Sequence, residues 1–449
     1  MPKTMPNSAL PSGLSISHQL ARRNRFAFTI RRALPLAAAL IATAACTDIT
    51  SLQQSNPGQL SSGTVFIPAN AQLIVNSSQG DFECAYNSYI VGSGLFTDEL
   101  ANAISNTGNF DLDRRTITPG SAIFTGTCTA QQAPGVYTPL AAARASNDTA
   151  LRHLQGWTDA EVPNRSQLIG VAATYAGFSL ILLGEGFCSA AINLGPELTP
   201  AQVFAEARIR FDTAIAAATR AADAQTLNLG RIGRARTLLN LGNSAAAATD
   251  AALVPAGFIV NVGHDATVPR RQNLVFIHTQ QLNFSSVDPS IQARFAAIPD
   301  PRIAVTSTGR TGSDGRTLIV FPQKAATATA VQALAKYSEA QLIIAENLAN
   351  TGNLSGAVAI VSALGTANGQ PAFNPSPLTK EAVIAQIVEE RRREFFLEGH
   401  RLGDLRRYGL PPAPAAGTPY SSGGGVYSTQ ACFPLPDVER INNPSLGAP

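Results

Sequence analysis

From about Leu140 onward the apolar residues recur every three to four positions, and the runs come in pairs broken by Gly and Asn. A helix with one apolar stripe has to bury it, and folding back on a neighbouring helix does so at short range. Residues 140–156 form one candidate helix. Residues 166–187 form a second, with Leu168, Val171, Tyr175, Phe178 and Leu182 on one broad face. Thr199-Pro200 supplies an N-cap followed by proline at the first helical position, opening a third helix whose Val203, Ala207, Phe211, Ala214 and Ala218 keep the same step. Residues 230–241 and 243–253 follow, turned at Gly242 and stopped by Pro255. Residues 337–348 and 354–364 repeat the arrangement around Thr351-Gly352-Asn353.

Such pairs resemble tetratricopeptide repeats, in which small residues let two antiparallel helices approach closely. The spacing does not keep the regular period of about 34 residues, so the pattern predicts decorated helix pairs over 140–253 and 331–408. Between them the pattern changes. Residues 258–260, 274–277 and 318–321 are short β-type runs separated by Gly, Pro, Asp and Ser. Residues 63–138, 256–330 and 409–449 read as irregular. The expectation is a mainly α fold of tetratricopeptide-like helix pairs, with irregular loops and short strands packed on one side. Loops displayed on a rigid scaffold are where ligands usually bind.

The amino terminus reads as an address. Lys3 and five arginines precede an apolar run of about 13 residues, Ala33 to Ala45, which ends in small residues before Cys46. That is the order of a secretory signal, and the run is too short to span a bilayer. No later segment reads as long and apolar enough; the best, 169–183, is interrupted by Gly170, Thr174, Gly177 and Ser179. A cut before Cys46 resembles a bacterial lipoprotein signal, which implies lipid attachment at Cys46. A plain secreted protein cut near Ala45 is the other reading. Residues 46–62 are polar and turn-rich and read as a tether, leaving 63–449 as the single folded domain.

Removing residues 1–45 also changes the charge balance. The formal net charge of +3 becomes 27 basic against 30 acidic residues, which argues against a nucleic-acid partner. Four cysteines then remain in an oxidising compartment, and they allow three pairings. Cys84–Cys128 with Cys188–Cys432 is the favoured one. No C-x-x-C occurs and no His lies near them, so no metal site is read here. The five His are scattered, and H-E-x-x-H, G-x-S-x-G and P-loop motifs do not occur. No catalytic residue and no cofactor is assigned.

The most specific string lies at the C-terminus. Thr379 caps a helix that continues through Ile384 and Val388 into Glu389-Glu390-Arg391-Arg392-Arg393-Glu394-Phe395-Phe396-Leu397-Glu398-Gly399-His400-Arg401-Leu402-Gly403-Asp404-Leu405-Arg406-Arg407. Taken alone this is an amphipathic helix with a charge network, in which Glu389 and Arg393 can pair four residues apart. As a string it resembles the signature of the SusD/RagB family of outer-membrane nutrient-binding lipoproteins. Ser93 to Leu100, Asp300-Pro301-Arg302, Glu339 to Asn347 and the Phe433-Pro434-Leu435-Pro436 tail agree with that family in order.

The resemblance implies a SusD-like α-α superhelix held at the outer membrane by its lipid. It implies capture of a small nutrient, a glycan or a peptide, for a SusC-like TonB-dependent transporter. It implies binding without catalysis. Sugar faces stack on aromatic rings, yet this chain has one Trp and eight Tyr, which weakens a long-polysaccharide reading. Tyr86, Asp98 and Trp157 are the candidate ligand contacts. Core packing for Tyr86, pairing for Asp98 and helix packing for Trp157 explain the same residues. A tetratricopeptide-type adaptor that binds only protein partners is the rival function.

Overall fold

Three helix-to-helix turns built on one device set the architecture. At Gly242 and Gly352 the chain takes φ of 78° and 89°, and the next residue, Asn243 or Asn353, caps the following helix through its side-chain oxygen. The left-handed step ends one helix and the Asx cap starts the next in the reverse direction. Ala222 makes the same step at φ 53°, with Asp223 capping through Thr226 N–H. That turn carries no glycine to mark it, so the helix there begins at Ala224, several residues before the sequence pattern places it.

The computed structural model describes residues 62–446 apart from 133 and 422. The export segment, Cys46 and the tether as far as residue 61 lie outside the described residues. The main helices are α1 (Ala71–Phe96), α2 (Thr138–Gly156), α3 (Arg165–Gly186), α4 (Pro200–Arg220), α5 (Ala224–Asn240) and α6 (Ser244–Ala251). Then come α7 (Tyr337–Asn350), α8 (Leu354–Thr366), α9 (Lys380–Glu394) and α10 (Arg401–Arg407). Consecutive helices pack on one another from α2 to α6; α7 joins α6 to α8 and α9, and α1 lies across α2 and α3.

Four expectations are corrected. Residues 63–138 are not irregular as a whole, because α1 is a helix of 26 residues. Every residue from 84 to 96 is buried, so the second half of α1 has no solvent face and shows no amphipathic stripe. Residues 274–277 are helical, not extended, because Asn273 accepts from Phe276 N–H and starts a turn there. Helix α3 is, by length and composition, apolar enough to cross a membrane; in the folded chain it is a core helix, 89% buried over its most apolar stretch. Finally, the signature string is two helices. Left-handed backbone at Leu397 (φ 53°) and Gly399 (φ 70°) separates α9 from α10.

The strands are β1 (Leu100–Asn102), β2 (Ile259–Val262), β3 (Ser285–Val287), β4 (Val305–Thr311), β5 (Leu318–Pro322) and β6 (Gln332–Lys336). They form three antiparallel pairs, β1–β3, β2–β6 and β4–β5, with Leu100 opposite Val287, Ile259 opposite Lys336 and Val305 opposite Pro322. Cys84 is bonded to Cys128, and Cys188 to Cys432 across 244 residues. Beside the second bond, Cys188 N–H donates to the Phe433 carbonyl at 2.8 Å. Phe433 thereby joins Phe96 and Phe187 in the core, with ring centroids 4.7 and 5.2 Å away.

One close approach fixes how α3, α4 and α5 pack. The Phe211 ring of α4 sits between Gly177 of α3 and Gly233 of α5. A Cβ at Gly177 would come within 2.7 Å of the ring, and one at Gly233 closer still. Gly233→Ala should therefore lower stability by about 1–3 kcal/mol, although alanine is the better helix former by about 1 kcal/mol. Chemical denaturation of the two proteins measures it; an unchanged or raised midpoint would contradict the packing.

Candidate functional site

The charged signature is buried, and its partners come from across the chain. Arg391 donates from Nε to both oxygens of Asp404, at 3.0 and 2.9 Å. Arg401 grips Asp98 with Nε and Nη2, at 2.6 and 2.9 Å, and Arg392 reaches the same carboxylate at 2.8 Å. Arg302 is held by Asp300, Glu390 and Glu394, while Lys336 lies between Glu394 and Glu398. Glu389 and Arg393 pair at 3.0 Å. Arg407 and Tyr408 both meet Glu346.

His400 stacks on Phe395 at 4.2 Å, and Arg236 donates to its Nε2 at 3.0 Å. Burial and the surrounding cations hold its pKa well below the usual value, so it is a neutral acceptor. Every charged side chain of the string except Arg406 is paired with an opposite charge. The string therefore performs a structural task, and its His and Glu residues have no open face to offer a substrate.

Two carboxyls inside this network lack full pairing. Burial pushes Glu99 and Glu339 up to about 7. Glu99 accepts Leu397 N–H at 2.8 Å through one oxygen, and its other oxygen and both of Glu339 have no partner among the described residues. Glu394 behaves oppositely: burial raises it, but Lys336, Ser338 and Arg302 outweigh burial and bring it to about 2.

The largest cavity described, 690 Å³, opens among the irregular segments. Its walls come from β1, from β3 and the start of helix Pro289–Ala297, from the β4–β5 turn at 316–318, and from residues 413–427. Hydroxyl and amide side chains share the lining with apolar wall from Ala101, Val287, Pro289, Leu318, Pro414 and Pro419, and Tyr427 is the one aromatic ring. Most of the polar groups are held in place by local bonds. Asp288 Oδ1 accepts Ser290 N–H at 2.8 Å, Ser286 Oγ donates to the Leu318 carbonyl at 2.9 Å, and Gln292 Nε2 donates to Val287 O at 2.7 Å. Gln292 thereby turns its other amide atom toward new partners. Arg316 and Leu318 stand exposed at the rim. A rigid, partly polar hollow of this size suits a polar small molecule that hydrogen-bonds along its length.

The three sequence candidates fare differently. Asp98 borders this cavity, but its carboxylate is spent on Arg401 and Arg392; burial raises its pKa and those two cations more than reverse the effect. Tyr86 is 1% exposed, with its hydroxyl donating to the carbonyls of Ala333 and Glu398, so it is a core residue and not a ligand contact. Trp157 packs in a separate cluster beside His153, ring centroids 6.0 Å apart, with Phe66 stacked on the other side of that histidine. Tyr427, Gln292 and Arg316 were missed. Arg316 and Tyr427 lie in loops of no recognisable motif, and Gln292 lies in a short helix whose only local signal is Asp288-Pro289, an N-cap and first-turn proline. Among the described residues no group of His, Cys, Asp and Glu could hold a metal ion.

Residues 324–439 match the model of the SusD family. A SusD superfamily protein from Bacteroides vulgatus superposes with a TM-score of 0.64 at 15% identity, covering 84% of this chain and 98% of its own. A SusD-like carbohydrate-binding protein from the same species gives 0.63 at 15% identity, covering 85% and 97%. A SusD superfamily protein from Bacteroides thetaiotaomicron gives 0.64 at 13%, covering 85% and 99%. No curated protein matches the chain. The fold is the one these solved structures share, and residues 324–439 carry the match to the SusD family model.

The two unpaired carboxyls predict a pH dependence. Their folded pKa values, about 7, lie above the ordinary value of 4.5. The folded state keeps those protons longer than the unfolded chain, so their contribution falls as pH rises from 4.5 to 7 and is constant above. Glu339→Gln should flatten that fall by an amount on the order of 3 kcal/mol, read as the difference between denaturation at pH 4.5 and pH 8. Parallel wild-type and variant profiles would contradict the assignment.

Proposed function

We propose that the chain is a cell-surface solute-capture lipoprotein that binds a small nutrient and hands it to a SusC-like TonB-dependent transporter in the outer membrane. The observation that carries this reading is a 690 Å³ cavity of mixed polar and apolar lining on a SusD-like scaffold whose signature charges, Arg406 apart, are paired internally. The match to the SusD family, and neighbours described as carbohydrate- or sugar-binding, support solute binding as the task. Capture needs no chemistry. A ligand held near a pore mouth is raised in local concentration, and modest affinity leaves release open.

The single ring in the cavity favours a short glycan or a small peptide, held by hydrogen bonds, over a long polysaccharide stacked on an aromatic arc. The lipid at Cys46 would keep the protein on the membrane and the helix pairs would face the transporter. Two measurements check this. A thermal-shift and calorimetry screen against short glycans and peptides should give a saturable, stabilising hit, and Arg316→Ala with Leu318→Ala should weaken it about ten-fold without moving the melting temperature of the free protein. Silence across both panels would favour the adaptor that binds only proteins. Separately, Cys46→Ala should release the protein from the outer-membrane fraction; unchanged fractionation would contradict the anchor.

A further inference from the structure

A second cavity, 370 Å³, lies between the C-terminal segment and α10, and two guanidinium groups line it. Phe96, Leu402, Leu405 and Leu410 supply apolar wall, and no acidic side chain borders it. Arg115 is 1% exposed and occupies a left-handed position, φ 59°, directly after helix Thr107–Arg114. Glycine or asparagine takes that conformation cheaply, and an arginine there is strained. Its side chain therefore has a reason to be in that place.

Arg115 donates to three backbone carbonyls, those of Ser428, Ala413 and Pro414, and its guanidinium stands 5.0 Å from the Tyr427 ring centroid. Arg406 donates from Nη1 to the carbonyls of Gly184, Glu185 and Phe187, at 3.0, 2.7 and 2.9 Å. Its Nε and Nη2 have no acceptor among the described residues. Neither arginine has a carboxylate within ion-pair distance among those residues, although Arg302, Arg391, Arg401 and Arg407 beside them each have one or more. Burial draws the pKa of both Arg115 and Arg406 downward, whereas paired Arg401 is raised. Carbonyl dipoles and an aromatic face hold the cations in position but leave their charge uncancelled.

Arg115, buried without a counter-ion, carries a desolvation penalty, half-buried Arg406 has no counter-ion either, and an anion placed between the two relieves both. Planar guanidinium forks match the two oxygens of a carboxylate. We propose that this cavity binds a small carboxylate with an apolar body, the carboxylate set between Arg115 and Arg406 and the hydrocarbon against Phe96, Leu405 and Leu410. The volume lies within the range of small-molecule sites, about 300–1,000 Å³. Gly409 and Ala431 stand exposed at the mouth and leave a way in. This site is separate from the 690 Å³ cavity and does not depend on what that cavity holds.

The test is calorimetry on the full chain at pH 7 with 4-methylpentanoate, its amide and inorganic phosphate as probes. The acid should bind saturably below about 10 mM and the amide about ten-fold or more weakly. Arg406→Gln should weaken the acid by about ten-fold. Because Arg406 also ties three carbonyls, Ala431→Trp serves as the second variant; it keeps both arginines, fills the mouth, and should abolish binding with the melting temperature unchanged. Equal affinity for acid and amide, phosphate binding as tight as the acid, no saturable binding of the acid, or acid binding unaffected by Ala431→Trp would each overturn the proposal.

Discussion

The buried ion network around residues 389–407 is the constraint on which the rest of the structure depends. It brings Asp98, Glu185, Arg236, Arg302, Lys336 and Glu346 to one place, from segments separated by up to about three hundred positions. Breaking one buried pair leaves its partner charged and unpaired, which costs about 3–5 kcal/mol. The network tolerates no partial assembly. It explains why the chain breaks helix at Leu397 and Gly399: only then do Glu398, His400 and Arg401 face three different directions.

Rigidity is transmitted from this hub to the irregular side. Asp98 is gripped from the hub and also borders the larger cavity, and Arg392 reaches Ser290 at 2.7 Å on the opposite wall. The cavity is thus held open by bonds that no ligand has to make. A preformed hollow spares a ligand the cost of ordering its own site.

Legibility in the sequence followed physical exposure. Helices with one wet face, such as α4 and α7, show their period and are read to within a few residues. The second half of helix α1 is buried all round and shows none. The turn at Ala222 lacks the glycine that marks its two counterparts. The signature is readable as a string, yet its partners are single residues scattered through the chain, each unremarkable where it stands. Tyr86 and Trp157 drew attention because they are large and aromatic, and for the same reason Tyr86 is in the core and Trp157 is half-buried against a cluster of its own. The cavity walls come from four segments that have no motif in common, and only the folded chain brings Gln292, Arg316 and Tyr427 together.

The order in which the chain is made gives the hub another meaning. Residues 389–407 are synthesised near the end, after every other charged partner has already emerged. Until they arrive, Asp98, Lys336 and Glu346 lack the counter-ions with which they leave water, and the end of α1 cannot close over the core without stranding Asp98. Completion of the last helix pair is therefore the event that permits the interior to dry. A chain built this way stays open while it is being threaded through any narrow passage, and it locks only when its final segment is free.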